Sequence, residues 1–323
     1  FASSLHQLLF FSSDSSMIKS ALFLVYGFYA WFVWPAVKWV LRHLTGKCEL
    51  LRLTANHSKG ASRTTVVEQS IMNSRCPEVR KAVNWTDSFD YQTVTRDLIT
   101  AKRIDTVEFP NFAADFTYCL RQIHAYTRLV SQVELLKATP FDSQRKDHQD
   151  LLDKLWISLS PIENPSSSDA RNWSLLGFQT DDNPGTDFRG MGILSLENLV
   201  YFSAQHTKLC KSLLSASNHP QHWYPFAVVG INLTEMLYVQ LKTGLLKNQF
   251  HNTSDCCTLV DFHKLFCFAF YSFHEYWTMC DRDIMQFRIH REHFRRNLEN
   301  RLRAIDCRLG LTGSDGDFGY FKL

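Results

Sequence analysis

Apolar residues recur every three or four positions over most of the chain beyond residue 110, which is the spacing of amphipathic helices. No stretch alternates with a period of two for long enough to predict a strand. The predicted helices cover residues 112–136, 150–159, 193–215, 226–246, 258–280 and 283–304. This pattern predicts an all-α fold, with a bundle-like helical domain over residues 111–306 behind an N-terminal apolar helix.

The N-terminal apolar run, residues 20–37, has 18 positions without a charge, just long enough to span a bilayer. Trp31, Trp34 and Trp39 resemble an interfacial aromatic belt, and more basic residues follow the run than precede it, which would keep the bulk of the chain in the cytosol. We therefore expect residues 17–47 to form a membrane anchor, either spanning the bilayer or lying in its interface. A cleaved signal peptide and a buried core helix remain alternatives.

The other segments carry weaker patterns. Residues 48–110 are predicted to be a linker with short helices, and within them the polar stretch 54–90 is expected to hold at most one short helix. Residues 1–16 are an uncertain leader, since Met17 directly precedes the apolar run. Residues 307–323 are expected to be a disordered tail. The expected location is cytoplasmic and membrane-associated, with the endoplasmic reticulum, mitochondria and lipid droplets as candidate surfaces.

Charge and cysteine content exclude several classes of function. The 35 basic and 32 acidic residues give a net charge of +3, without the basic field of a nucleic-acid-binding protein. The nine cysteines are odd in number and irregularly spaced, which indicates free thiols and a reducing compartment. No CxxC pair, Walker pattern or zincin motif occurs, so we expect neither a metal site nor a nucleotide site in this chain.

The segment "GFQTDDNPGTDFRGMG", residues 177–192, consists mostly of turn formers around a single cation, Arg189. Thr186 or Asp187 could cap a helix that begins near residue 190, which would place Arg189 close to a helix N-terminus. Such an end attracts anions, and the guanidinium fork matches phosphate oxygens. Two interpretations compete: Arg189 reaches outward to a partner's phosphate, or it is an internal staple. The staple would pair with Asp181, Asp182 or Asp187.

The same segment resembles the signature of the ELMO domain. The matching residues are Trp173, "GFQ" at 177–179, Pro184, "TDFRG" at 186–190, Gly192 and "LSLENLVYF". Other stretches, including "LTGKCELLRL", "GASRT", "LLDKLW" and "VVGINLTEM", resemble the short single-domain members of this family, and the likeness covers about residues 35–305. One departure is that four residues separate "GFQ" from Pro184, where the family pattern has three.

The resemblance implies an activator of GTP hydrolysis by Arf and Arf-like small GTPases. The family's motif arginine falls on Arg189, which would act on the transition state, while Gln179, Asp182, Asp187 and Gly190 would contact the GTPase or orient the loop. The helix faces around 193–202 would form the docking rim. Such an activator turns over no substrate of its own and needs no cofactor, because Mg²⁺ and GTP belong to the partner.

Two other functions remain open. The large family members implied by the resemblance are scaffolds that work with exchange factors, so the chain could be a non-catalytic effector or scaffold of small GTPases. It could also be a membrane tether that acts through residues 20–47.

Overall fold

A computed structural model describes residues 33–84, 89–160, 171–181, 183–280 and 283–311. Over these residues the protein is all-α, as predicted, and contains no strand. The α-helices are α1 Trp34–Thr45, α2 Glu49–Asn56, α3 Ala61–Met72, α4 Pro77–Lys81, α5 Tyr91–Lys102, α6 Phe112–Ala138, α7 Lys146–Leu159, α8 Gly192–Gln205, α9 Thr207–Ser217, α10 Phe226–Lys242, α11 Lys247–Thr253, α12 Leu259–Met279 and α13 Phe287–Leu302. Three 3₁₀-helices are described at Trp173–Leu176, Pro184–Gly190 and Ile284–Gln286.

The region before α6 is a packed helical layer. Helices α2–α5 bury a cluster of apolar side chains against the first half of α6. The prediction of at most one short helix over 54–90 is therefore wrong, since α3 and α4 both lie there. The polar composition of residues 54–90 is typical of an exposed linker. Several of these polar residues are instead buried and have hydrogen-bond or ion-pair partners. The Thr64 hydroxyl bonds the Gln122 side chain, and the buried Glu68 pairs with Lys247 at 2.7 Å.

Helix α8 lies at the centre of the larger core, in contact with α6, α7, α9, α10 and α12. Of residues 192–199, all are buried except Glu197, which is partly exposed. The expectation that faces around 193–202 form a docking rim is therefore wrong for most of this helix. The single helix predicted over 193–215 is in fact two, because His206 leaves the helical conformation between α8 and α9.

Helix α6 connects the two cores. Its first half, from Phe112 to Ile123, packs in the N-terminal cluster, and its second half, from Ala125 to Val133, packs in the larger one. The prediction of a helix over 112–136 is confirmed, and its 27 residues make it the longest helix described. The two cores are thus joined by one continuous helix.

The predicted N-terminal anchor lies mostly outside the described residues, where only its last part appears as α1. In α1, Trp39 and Leu44 are exposed to 63% and 78%. No helix within the described ranges is long and apolar enough to cross a membrane. At the other end, the predicted disordered tail is partly packed, because Cys307 and Leu309 are buried.

All nine cysteines lie in the described part of the chain, and all are free. Six are buried, and burial raises the pKa of the Cys119 and Cys307 thiols to about 11. A thiol with a pKa this high stays protonated and unreactive at neutral pH. The nine thiols are therefore free, as the sequence predicts, and most of them are buried.

Candidate functional site

Residues 173–192, which we call the motif segment, form two short 3₁₀-helices joined by a loop. Aromatic residues fix the segment to the core: the rings of Trp156 and Trp173 lie 5.1 Å apart, those of Trp173 and Phe178 5.5 Å, and those of Phe178 and Phe188 5.7 Å. Phe188 is completely buried and also contacts the ring of Phe141. This chain of rings holds the inner side of the segment rigidly.

Gly177 allows the segment to approach α10 closely. Its φ of 77° lies in the left-handed region, and an added Cβ would lie 2.2 Å from the amide nitrogen of Phe226. Its carbonyl oxygen accepts a hydrogen bond from the amide of Val228 at 3.3 Å. Only glycine fits this combination of conformation and contact.

The loop between the two 3₁₀-helices is organised by carboxylates that accept backbone hydrogen bonds. Asp187 Oδ2 accepts from the amide of Gln179 at 2.9 Å, and Asp181 Oδ1 accepts from the amide of Ser174 at 2.7 Å. The first bond ties the loop to the second 3₁₀-helix, and the second bond ties it to the first 3₁₀-helix. The predicted site residue Asp182 lies outside the described residues.

The loop before Pro184 is one residue longer than in the family pattern, and two hydroxyl groups donate hydrogen bonds to a single carbonyl oxygen in it. The hydroxyl of Thr180 donates to the carbonyl oxygen of Asn183 at 3.1 Å, and the hydroxyl of Thr186 donates to it at 3.0 Å. The following Pro184 is buried. The lengthened loop therefore has internal hydrogen bonds at Thr180 and Asn183.

Arg189 lies on the outer side of the second 3₁₀-helix and is exposed. Its Nε donates to the carbonyl oxygen of Thr186 at 2.8 Å. Among the described residues it forms no ion pair, and neither Asp181 nor Asp187 bonds it. A staple to these two carboxylates is therefore absent. Among the described residues, the guanidinium of this exposed side chain is bonded through Nε alone.

The N-terminus of α8 is closed by the C-terminus of α6. Gly192 has a φ of 54°, and a Cβ there would lie 2.4 Å from the carbonyl oxygens of both Lys137 and Thr139. The amide of Ile193 donates to Thr139 O at 2.9 Å. No side chain caps α8. The prediction that Thr186 or Asp187 caps this helix is therefore wrong, and carbonyl oxygens occupy the place expected for an anion.

Gly190 and Gln179 complete the outer side. A Cβ at Gly190 would meet no heavy atom within 4 Å, so this glycine borders open space. The Gln179 side chain is exposed although its amide is held by Asp187. The structure thus bonds Gln179 to Asp187, and it leaves Arg189 and Gly190 exposed in the same segment. The roles assigned to these residues remain predictions.

Asn198, within the quoted "LSLENLVYF", is a buried residue to which the sequence argument gave no role. Its Nδ2 donates to Thr234 Oγ1 at 3.0 Å, and its Oδ1 lies 2.7 Å from His263 Nδ1. Burial lowers the pKa of His263 to about 4, so a neutral imidazole donates the hydrogen. Asn198 links α8 to α10 and α12. The signal in the sequence was an asparagine at four-residue spacing from Leu194 and Phe202, on an apolar helix face.

Glu197 directly precedes Asn198 on α8 and differs from its neighbours in being partly exposed. Burial raises the pKa of its carboxyl group above the usual value. No group of three or more His, Cys, Asp or Glu side chains gathers as metal ligands in the described part of the chain.

Comparison with known proteins agrees with the resemblance in the motif segment. The family model "ELMO/CED-12 family" matches residues 131–290. The chain is 39% identical to ELMO domain-containing protein 2 of Homo sapiens over 287 residues, covering 88% of this chain and 96% of that protein. It is 36% identical to ELMO domain-containing protein 1 of Pongo abelii over 301 residues, covering 87% and 92%.

A more distant relative gives the same result. ELMO domain-containing protein B of Dictyostelium discoideum is 30% identical over 273 residues, covering 81% of this chain and 93% of that protein. These matches extend well beyond the motif segment, because each covers 81% or more of the chain. The chain therefore belongs to the ELMO/CED-12 family.

Proposed function

We propose that this protein activates GTP hydrolysis by Arf or Arf-like small GTPases and supplies Arg189 to the transition state. Family membership supports a role in small-GTPase regulation through the resemblance described above. The observation that carries the finer proposal is that Arg189 is exposed and that, within the described ranges, its guanidinium has one hydrogen bond, from Nε to the backbone. Such a group is available to a second protein without breaking an ion pair among the described residues.

The chemical reason for an arginine lies in the charge of the reaction. During transfer of the γ-phosphoryl group, negative charge spreads over its equatorial oxygens and the bridging oxygen to the leaving group. A guanidinium supplied in trans stabilises this charge and accelerates hydrolysis by about 10³- to 10⁵-fold, or about 4 to 7 kcal/mol of barrier. Mg²⁺ and the nucleotide would come with the GTPase.

Rigid support makes the arginine suitable for this task. Arginine has several rotatable bonds, so an unsupported side chain would lose entropy when it docks. The bond from Nε to Thr186 O removes part of that freedom in advance, and buried Phe188 fixes the adjacent backbone. Within the proposal, Asp187 is a positioning residue, because its carboxylate ties Gln179 to the turn that carries Arg189. Gly190 would leave room for the partner's surface.

The test is a single-turnover assay with GTP-loaded GTPases from a panel of purified Arf and Arf-like proteins. We expect Arg189→Lys to lower the stimulated rate by about 10³-fold or more, because lysine offers a point charge in place of a bidentate fork. Arg288→Lys, an exposed residue on α13, is the matched control and should keep the full rate.

An unchanged stimulated rate in Arg189→Lys would refute the catalytic role. If that variant and the native protein both bind GTP-loaded GTPase without accelerating hydrolysis, the non-catalytic effector or scaffold function would replace the proposal. Association with a membrane through residues 20–47 is a separate part of the proposal, because removing that segment should leave stimulation in solution intact.

A further inference from the structure

Residues 303–311, which we call the strap, follow α13 in an irregular conformation and lie against α11. Two strap side chains are buried, those of Cys307 and Leu309, and Leu311 is partly buried. The exposed strap side chains are Arg303, Ala304, Ile305, Asp306 and Arg308. The strap therefore contributes much less apolar burial to the fold than a core helix does.

Side-chain amides of α11 bind the backbone of the strap. Asn252 Nδ2 donates to the carbonyl oxygen of Ile305 at 2.9 Å and to that of Cys307 at 3.1 Å. Gln249 bonds the backbone of Leu309 in both directions, because its Nε2 donates to Leu309 O at 2.7 Å and its Oε1 accepts from the Leu309 amide at 2.6 Å. These bonds hold the strap by its backbone and not by its exposed side chains.

Asn248, one position before Gln249, contacts the end of α13. Its Nδ2 lies 3.4 Å from the carbonyl oxygen of Leu302 and 3.2 Å from those of Arg303 and Ala304. Each of these bonds contributes modestly to stability, because water replaces it when the strap leaves. The amides that hold the strap come from little more than one turn of α11, so we expect their bonds to break together.

Asn252 also contacts the N-terminal layer. Its Oδ1 accepts a hydrogen bond at 2.9 Å from the amide of Ala61, the first residue of α3. The N-cap residue of α3 is Gly60, which has no side chain, and a Cβ there would lie 2.8 Å from Asn252 Oδ1. Asn252 therefore supplies an acceptor that α3 lacks at its own N-terminus. One side-chain amide thus bonds the strap through its nitrogen and α3 through its oxygen.

We propose that the strap is a latch that opens and closes as a unit while the rest of the protein stays folded, and that its closure fixes the start of α3 through Asn252. With the strap closed, two carbonyl oxygens hold Nδ2 of Asn252, which directs Oδ1 toward Ala61. With the strap open, this amide can rotate, and the Ala61 amide exchanges its bond for one to water.

Opening of the latch loosens the start of α3 without separating the two cores. The Glu68–Lys247 ion pair and the continuous helix α6 still connect the N-terminal layer to the larger core. Local opening of this kind requires less free energy than global unfolding, because few buried apolar contacts are lost. The latch involves no residue of the motif segment, so it does not depend on the proposed function.

The cysteines of the full chain provide the test. Cys307 is buried in the strap with its Sγ 3.5 Å from Gln249 Oε1, so it meets a reagent when the strap opens. Cys210 and Cys267 are completely buried in the larger core and meet the reagent when that core unfolds. The native protein is incubated with excess iodoacetamide, and mass spectrometry follows each labelled cysteine relative to its rate in urea-unfolded protein. We expect Cys307 to react at least about 100-fold faster than Cys210 and Cys267.

A strap variant tests the link to α3. Leu309→Ala removes buried apolar contacts of the strap and leaves Asn252 and Ala61 unchanged, so we expect Cys307 to react about tenfold faster or more. Hydrogen exchange at the Ala61 amide, resolved by fragmentation mass spectrometry, should accelerate by a similar factor. The matched control is Ile305→Ala, because this strap side chain is 52% exposed and its backbone bond is kept. The control should change both rates by less than about twofold.

A second variant covers general destabilisation. If Leu309→Ala also accelerates labelling of Cys210 and Cys267, Gln249→Leu is used instead, since it removes the two bonds to Leu309 at similar side-chain volume. We expect it to accelerate Cys307 labelling about tenfold while the two core cysteines keep their rates.

Two results would overturn the proposal. Labelling of Cys307 in the native protein at the rate of Cys210 and Cys267 would mean that the strap leaves only when the whole protein unfolds. Faster Cys307 labelling with unchanged exchange at Ala61 would mean that the strap opens but does not control α3. Neither measurement involves a GTPase, so failure of the latch is distinguishable from failure of the arginine proposal.

Discussion

The inner and outer sides of the motif segment are built differently. The inner side, Trp173, Phe178, Pro184 and Phe188, is buried against the larger core. The outer side, Gln179, Arg189 and Gly190, is exposed and makes few contacts. The core therefore determines where the backbone of the segment lies, while the outer residues contribute little to holding it there. Changes on the inner side should reduce stability, and changes on the outer side should reduce activity alone.

Removing the Phe188 ring is the most severe test of this difference. We expect Phe188→Ala to lower the free energy of unfolding by about 3 to 5 kcal/mol, because a fully buried ring leaves a cavity. Urea unfolding followed by circular dichroism measures this loss. Phe188→Leu keeps most of the volume and should lose less than about 1.5 kcal/mol. A loss below about 1 kcal/mol for the alanine variant would contradict a rigid inner side.

Alanine substitutions of Gly177 and Gly190 test the difference between the inner and outer sides directly. Gly177→Ala should lower the free energy of unfolding by about 2 to 4 kcal/mol, since its Cβ meets the backbone of α10 and its φ is positive. Gly190→Ala places the same methyl group in open space and should change the free energy of unfolding by less than about 0.5 kcal/mol. Similar losses in both variants, measured by the same urea titration, would mean that the two sides do not differ.

Asp187 lies between the two sides and should affect both properties moderately. Asp187→Asn weakens the charge-assisted bond to the amide of Gln179, and we expect a loss of about 1 kcal/mol in stability. The stimulated rate should fall about tenfold, because small displacements of a catalytic group are costly. Asp181→Asn is the matched control: it weakens a similar bond to Ser174 that lies further from Arg189. If both variants reduce the rate equally, Asp187 has no special positioning role.

The smallest expected effect on stability is at Arg189. Arg189→Lys should change the free energy of unfolding by less than about 0.5 kcal/mol, since the side chain is exposed and bonds the chain only through Nε among the described residues. Its melting temperature should stay within about 2 °C of the native protein. A drop of many degrees, together with lost GTPase binding, would make this arginine structural.

Helices with continuous apolar faces were predictable from the sequence. Phe112, Phe116 and Leu120 on α6 and the phenylalanines of α12 repeat at helical spacing and are buried in the structure. The layer before α6 was not predictable, because buried Thr64 and Glu68 interrupt the apolar pattern and find partners only in distant helices. Hydropathy along the chain cannot reveal such pairings.

The candidate site was predictable in its residues but less so in its geometry. Resemblance identified Arg189, and its exposure agrees with one of the two interpretations left open. The expected cap on α8 was wrong because the competing partner, the carbonyl end of α6, lies more than 50 positions before Gly192 in the sequence. Asp181 and Asp187 accept hydrogen bonds from backbone amides and do not pair with Arg189. This could not be predicted either, because it depends on the path of the folded loop.

Helix α6 has a consequence that extends beyond packing. Its 27 residues correspond to a rod of ~40 Å, with the helical layer α2–α5 around its first half and the junction with Gly192 at its far end. Because this rod is continuous, a helix-breaking substitution near its middle should loosen the N-terminal layer and displace the motif segment in the same variant.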